Sequence, residues 1–140
     1  MNDKTVVLDT VEMISQLMGE LESKAFEQEG FSDITMHQML YLETIARLKQ
    51  PTFGEIADFL GITRPSVSTI IKKLIQLGYV NKNQSSKDGR VYNLYLTDKG
   101  LRFNELHNEV HQLLARRITE NLDQDEIESL AELLTKITAG

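Results

Sequence analysis

The sequence lacks cysteine altogether, which excludes disulfides, thiolate metal sites and a cysteine nucleophile. Proline occurs only twice, and 41% hydrophobic with 26% charged residues is ordinary for a soluble globular protein. No apolar run approaches the ~20 residues that span a bilayer. Met1-Asn2-Asp3-Lys4-Thr5 has neither the basic start nor the small-residue cleavage site of a signal peptide, so the expected compartment is the cytoplasm. There is no phosphate-cradling glycine-rich loop and no His-Glu-x-x-His pair. The serines cluster away from the histidines in sequence. Those absences speak against an enzyme.

An overall excess of positive charge is also missing: the net charge is −6. Its distribution is uneven. Between Gly61 and Arg102 stand Arg64, Lys72, Lys73, Lys82, Lys87, Arg90, Lys99 and Arg102 against only Asp88 and Asp98, so that segment carries +6 and the remainder −12. Phosphate feels charge over roughly 10 Å at moderate salt, so a local basic patch can act while acidic flanks are screened.

The 140 residues suffice for one domain with a real core. Val7, Val11, Ile14, Met18, Leu21 and Ala25 recur at steps of four and three, which predicts an amphipathic helix over residues 6–27. Thr35 and Gln38 have capping-box spacing ahead of a second helix, Met36 to Lys49, and Thr52 with Glu55 repeats the pattern before a short third helix, Phe53 to Leu60. Pro65 suits the first turn of a fourth helix that runs to Leu77, with Gly78 as its stop. The period then changes. Tyr79 to Asn83 and Val91 to Leu96 read as strands around a polar, Asp-Gly-containing tip. Thr97 caps a long helix from Asp98 to Asn121, and Asp123 with Glu126 caps a last one. The order α-α-α-α-β-β-α-α defines a mainly α fold.

Residues 53–77 match a helix-turn-helix at seven positions in register. Ala57 is small where two short helices cross, Gly61 permits the turn, and Ile56, Leu60, Ile62, Val67 and Ile70 pin one helix on the other. On the fourth helix Arg64, Ser66, Ser68, Thr69, Lys72 and Lys73 are left for other faces. Short hydroxyls allow close approach to base edges, and lysines suit phosphates at the groove rim. Thr52, at the start of the third helix, could present backbone N–H groups to a further phosphate.

Ile62-Thr63-Arg64-Pro65-Ser66-Val67-Ser68 resembles the recognition-helix start of the MarR family of bacterial transcription regulators. Asp88-Gly89-Arg90 followed by Leu94-Tyr95-Leu96-Thr97-Asp98-Lys99-Gly100 is similar to that family's wing signature. The resemblance extends over the order of elements. It implies one domain over 1–140, with dimerisation helices in 1–30 and 98–140. A winged helix-turn-helix lobe would occupy 35–97, its helix-turn-helix at 53–77 and its wing at 79–96. It further implies a homodimer in a bacterial or archaeal cytoplasm, with recognition helices in successive major grooves of a palindromic operator. By position Arg90 is the wing arginine for the minor groove and Asp88 the carboxylate that orients it, by bidentate hydrogen bonds if the geometry allows. Lys87 adds charge at the tip. Gly89 stands where many members carry arginine.

The resemblance also implies response to a small molecule, and Phe26, Phe31, Met36, Met39 and Tyr41 are the candidate lining, although as core residues they need no ligand. His107 and His111 share a helix face and could chelate an ion, with His37 as a third ligand by analogy with zinc-responsive members. No cofactor is required. The reading is a sequence-specific, double-stranded-DNA-binding transcription regulator, a ligand-responsive dimeric repressor. Its alternatives are a protein-binding winged-helix module and a zinc-responsive regulator.

Overall fold

A computed structural model describes residues 2–140. Six helices and one hairpin follow in the order α1 (Asp3–Gln28), α2 (Met36–Leu48), α3 (Phe53–Leu60), α4 (Arg64–Gln76), β1 (Val80–Gln84), β2 (Tyr92–Leu96), α5 (Asp98–Asn121) and α6 (Gln124–Ala139). They form two compact units. One runs from Phe26 to Leu106. The other joins the stretch ending at Ala25 to His107–Gly140.

Local signals account for most helix ends. Thr35 Oγ1 accepts from Gln38 N–H at 3.2 Å and the Gln38 side chain accepts from Thr35 N–H at 2.9 Å. Asp123 and Glu126 close the same reciprocal box at the start of α6. At α3 only half the expected box forms: Thr52 Oγ1 caps Glu55 N–H at 3.1 Å. The Thr52 backbone is engaged elsewhere, in an antiparallel bridge to Asn93. Helix α2 ends one residue before Lys49, because Lys49 and Gln50 both take left-handed conformations, φ 54° and 58°. Such residues cost about 1–3 kcal/mol each and persist only where the surroundings hold them. Here Asn93 Nδ2 donates to the Gln50 carbonyl at 2.8 Å and Leu94 N–H to that of Pro51 at 2.8 Å. The turn into the helix-turn-helix is thus stitched to β2.

β1 and β2 pair antiparallel from Val80↔Leu96 to Gln84↔Tyr92. The first strand starts one residue later than its sequence pattern suggests. Gly78 sits at φ +85° and Tyr79 N–H still donates to Leu74 O, closing α4 before the strand begins. Thr97 Oγ1 donates to the Gly78 carbonyl and accepts from Gly100 N–H, so one hydroxyl ties the α4 stop to the α5 start. Gly100 is required there, since a Cβ would overlap the Tyr79 carbonyl oxygen.

Inside the Phe26–Leu106 unit, Leu42, Ile56, Val67, Ile71, Leu74, Tyr79, Leu94 and Phe103 have no exposed surface. Each such side chain contributes about 1.5–3 kcal/mol on burial. Phe103 is the hub of an aromatic cluster, with ring centroids 4.9 Å from Phe26, 5.5 Å from Phe31 and 5.9 Å from Tyr79. The Tyr79 hydroxyl donates to Asp33 at 2.6 Å. Burial and that bond hold its pKa above the usual phenol value. The other unit is different in kind: α6 buries none of its residues. Val7, Val11 and Ile14 on α1, with Leu133, Leu134 and Ile137 on α6, lie exposed.

Candidate nucleic-acid interface

The two short helices predicted to cross do so. Ile56 and Ala57 on α3 and Val67, Ile71 and Leu74 on α4 are buried, and Gly61 makes the turn at φ +67°. The burial of α4 has a consequence for its other side. Arg64, Ser66, Ser68, Thr69, Lys72 and Lys73 are all exposed, on a helix fixed from behind. Ile70, expected to pin one helix on the other, is only half-buried, as is Leu77 at the helix end. The hydroxyls near the helix start are ordered: Thr63 and Ser66 share a hydrogen bond of 2.9 Å, and Thr69 Oγ1 donates to the Pro65 carbonyl at 3.0 Å. Thr52 is half-buried and its hydroxyl is used as the α3 cap.

At the wing tip, Val91 N–H donates to Asp88 O at 3.0 Å, closing a turn over Gly89 and Arg90. Asp88 Oδ1 accepts from both Arg90 N–H, at 3.0 Å, and Arg90 Nε, at 3.3 Å. The pairing expected to be bidentate is therefore made through one carboxylate oxygen, because that same oxygen also caps the turn. The Arg90 side chain is still 93% exposed. Gln84 Nε2 donates to the Gly89 carbonyl at 2.6 Å. A Cβ at position 89 would stand 2.9 Å from that amide nitrogen, so an arginine there would displace the brace. Lys87 is exposed beside it.

The basic segment divides by structure. Lys99 lies 3.6 Å from Asp33 and over the Tyr79 ring at 4.3 Å, and Arg102 pairs with Glu29 and Glu105. These two cations brace the fold. Arg64, Lys72, Lys73, Lys82, Lys87 and Arg90 are exposed. Lys82 carries a role that the motif reading missed. With Lys72, Ser68, Gln76, Phe53, Ile71 and Ile75 it lines a cavity of about 450 Å³ between recognition helix and wing. Its ammonium sits 4.7 Å from the Tyr92 ring centroid. The charge count contained Lys82. Its place in the lining of this cavity is what sets it beside the groove.

The candidate ligand lining differs in exposure from residue to residue. Phe26, Phe31 and Tyr41 are buried, the two phenylalanines against Phe103, whereas Met39 is half-buried and Met36 is 77% exposed. His107 and His111 do stand together, ring centroids 4.5 Å apart, while His37 meets the edge of Tyr41 at 5.4 Å. Among the described residues no group of three or more His, Asp or Glu is placed to hold a metal ion. Nor, among the described residues, is any helix long and apolar enough to cross a membrane.

Comparison with known proteins agrees with this geometry. The model of the MarR family matches residues 32–91. The transcriptional regulator TcaR of Staphylococcus aureus is 34% identical over 92 residues, 64% of this chain and 61% of that protein. The transcriptional repressor MprA of Escherichia coli is 30% identical over 118 residues, 80% of this chain and 65% of that one. The chain therefore spans a little under two thirds of the length of these curated relatives. Among solved structures, Streptococcus pneumoniae FabT in complex with DNA superposes with a TM-score of 0.79 over 98% of this chain and 96% of that one, at 24% identity. That likeness concerns the fold.

Proposed function

From the premise that this chain belongs to the MarR family, we propose that it is a sequence-specific regulator of transcription that binds double-stranded DNA as a homodimer. The observation that carries the reading is the two-sidedness of α4. Val67, Ile71 and Leu74 are fully buried on one side, and Arg64, Ser66, Ser68, Thr69, Lys72 and Lys73 are presented on the other. A helix so anchored can enter a major groove as a rigid body, its hydroxyls toward base edges and its lysines toward phosphates. Arg90, held at the tip of a braced hairpin, has the planar cation that a narrow minor groove attracts.

Two-fold symmetry would double the contact and match a palindrome. The exposed apolar side chains of α1 and α6 support that dimer. Repression is the favoured sense, in line with the relative named as a repressor. An effector would act by favouring one arrangement of the two recognition helices, shifting the population that can bind. On this reading the protein performs no catalysis and works in the cytoplasm. Selection from a random DNA pool should enrich a palindrome with half-sites about one helical turn apart. Enrichment of no sequence at all would sink the proposal in favour of a protein-binding module.

A further inference from the structure

Gly54 occupies the first turn of α3, where glycine is a poorer helix former than alanine. No positive φ requires it. Its use lies in what rests on it. A Cβ built on Gly54 would stand 2.6 Å from Arg64 Nη2, 3.0 Å from Cζ and 3.2 Å from Nε. The flat guanidinium fills the volume that any side chain at 54 would take. Arg64 is exposed, and among the described residues its side chain is in no hydrogen bond or ion pair. Its charge lies over the first turn of a helix, the end whose dipole favours anions and disfavours cations. With an anion in reach, the same arginine and the same helix end would both attract it.

Resting on the DNA-binding reading above, we propose that Gly54 is a positioning residue for DNA. Its bare backbone is the seat that holds the Arg64 guanidinium between α3 and α4, oriented toward a backbone phosphate. The contact is to phosphate and so independent of base sequence, and a mixed-sequence duplex of about 30 base pairs suffices as the probe. Four proteins are compared by fluorescence anisotropy at several salt concentrations: wild type, Gly54→Ala, Arg64→Ala and the double variant. Arg64→Ala should weaken binding about tenfold and flatten the salt dependence by roughly one phosphate's worth. Gly54→Ala should weaken it about fivefold, with a thermal midpoint equal to or above that of wild type. In the double variant, Gly54→Ala should add nothing to the loss from Arg64→Ala. Gly54→Ser, which also adds a Cβ, should behave as Gly54→Ala does. Wild-type affinity in Gly54→Ala, additive losses in the double variant, or a lowered midpoint would each overturn the seat while leaving the DNA reading intact. A wild-type protein with no salt-dependent affinity for the duplex would overturn both.

Discussion

The unit from Phe26 to Leu106 and the unit formed by the stretch ending at Ala25 with His107–Gly140 solve the problem of apolar surface in opposite ways. The first encloses its large side chains: the rings of Phe26, Phe31 and Tyr79 converge on Phe103, and α4 loses a whole face to the interior. The second leaves Val7 61%, Val11 58% and Ile137 72% exposed. One unit is complete as a single chain. The other carries exposed apolar surface, which on the proposed dimer a second copy would cover. The contrast separates residues whose substitution acts through folding from those whose substitution acts through association.

The largest effect should come from the enclosed unit. Leu74→Ala removes a fully buried side chain and should cost about 2–5 kcal/mol in denaturant unfolding. The cost should not depend on protein concentration. If Leu134→Ala, at a side chain 49% exposed, destabilised the single chain as much, the contrast would fail. Next, Val11→Asp combined with Ile14→Asp should leave the folded signal of the enclosed unit in place. It should convert the dimer to monomer at micromolar concentration in sedimentation equilibrium. DNA affinity should then fall at least a hundredfold, about 2.7 kcal/mol, as one half-site is lost. A double variant that still sediments as a dimer would move the interface elsewhere. Third, Arg90→Ala should weaken operator binding at least tenfold, about 1.4 kcal/mol, in gel shift. Its thermal midpoint should be unchanged, because the side chain is 93% exposed and bonds to Asp88 within the same hairpin tip.

The smallest effect concerns pH. The Tyr79 phenol is buried and bonded to Asp33, and both raise its pKa in the folded state. The unfolded state therefore ionises first, near the ordinary phenol value of about 10. Stability attached to this group should be complete below that pH and decline above it, since the unfolded state then holds fewer protons. Tyr79→Phe should flatten the alkaline limb of a stability–pH curve. An equally steep limb in the variant would assign the decline to another group.

Much of this was legible in the sequence because the determinants are local. Thr35 with Gln38, Asp123 with Glu126, Gly61 and Pro65 act within a few residues of themselves, and each helix starts where they indicate. The outward set on α4 followed from its period. What sequence could not give depends on pairing at a distance. By count Lys99 and Arg102 belong to the basic patch, but in the fold Asp33 and Glu29 stand beside them. Thr52 read as half of a capping box, but strand β2 bridges its backbone. Gly54 carried no signal, since the reason for it is a side chain ten positions later.

The Thr63–Ser66 pair has a consequence in terms of information. The bond between the two hydroxyls can run in either direction at 2.9 Å, so Ser66 need not commit to one polarity. Facing a base edge, it would answer a donor by accepting and an acceptor by donating. Such a position is degenerate: it accepts several bases at little cost and says little about which is present. The vocabulary of this helix is then narrower than its row of polar side chains suggests, and an operator aligned on α4 should be loosest at the letter opposite Ser66.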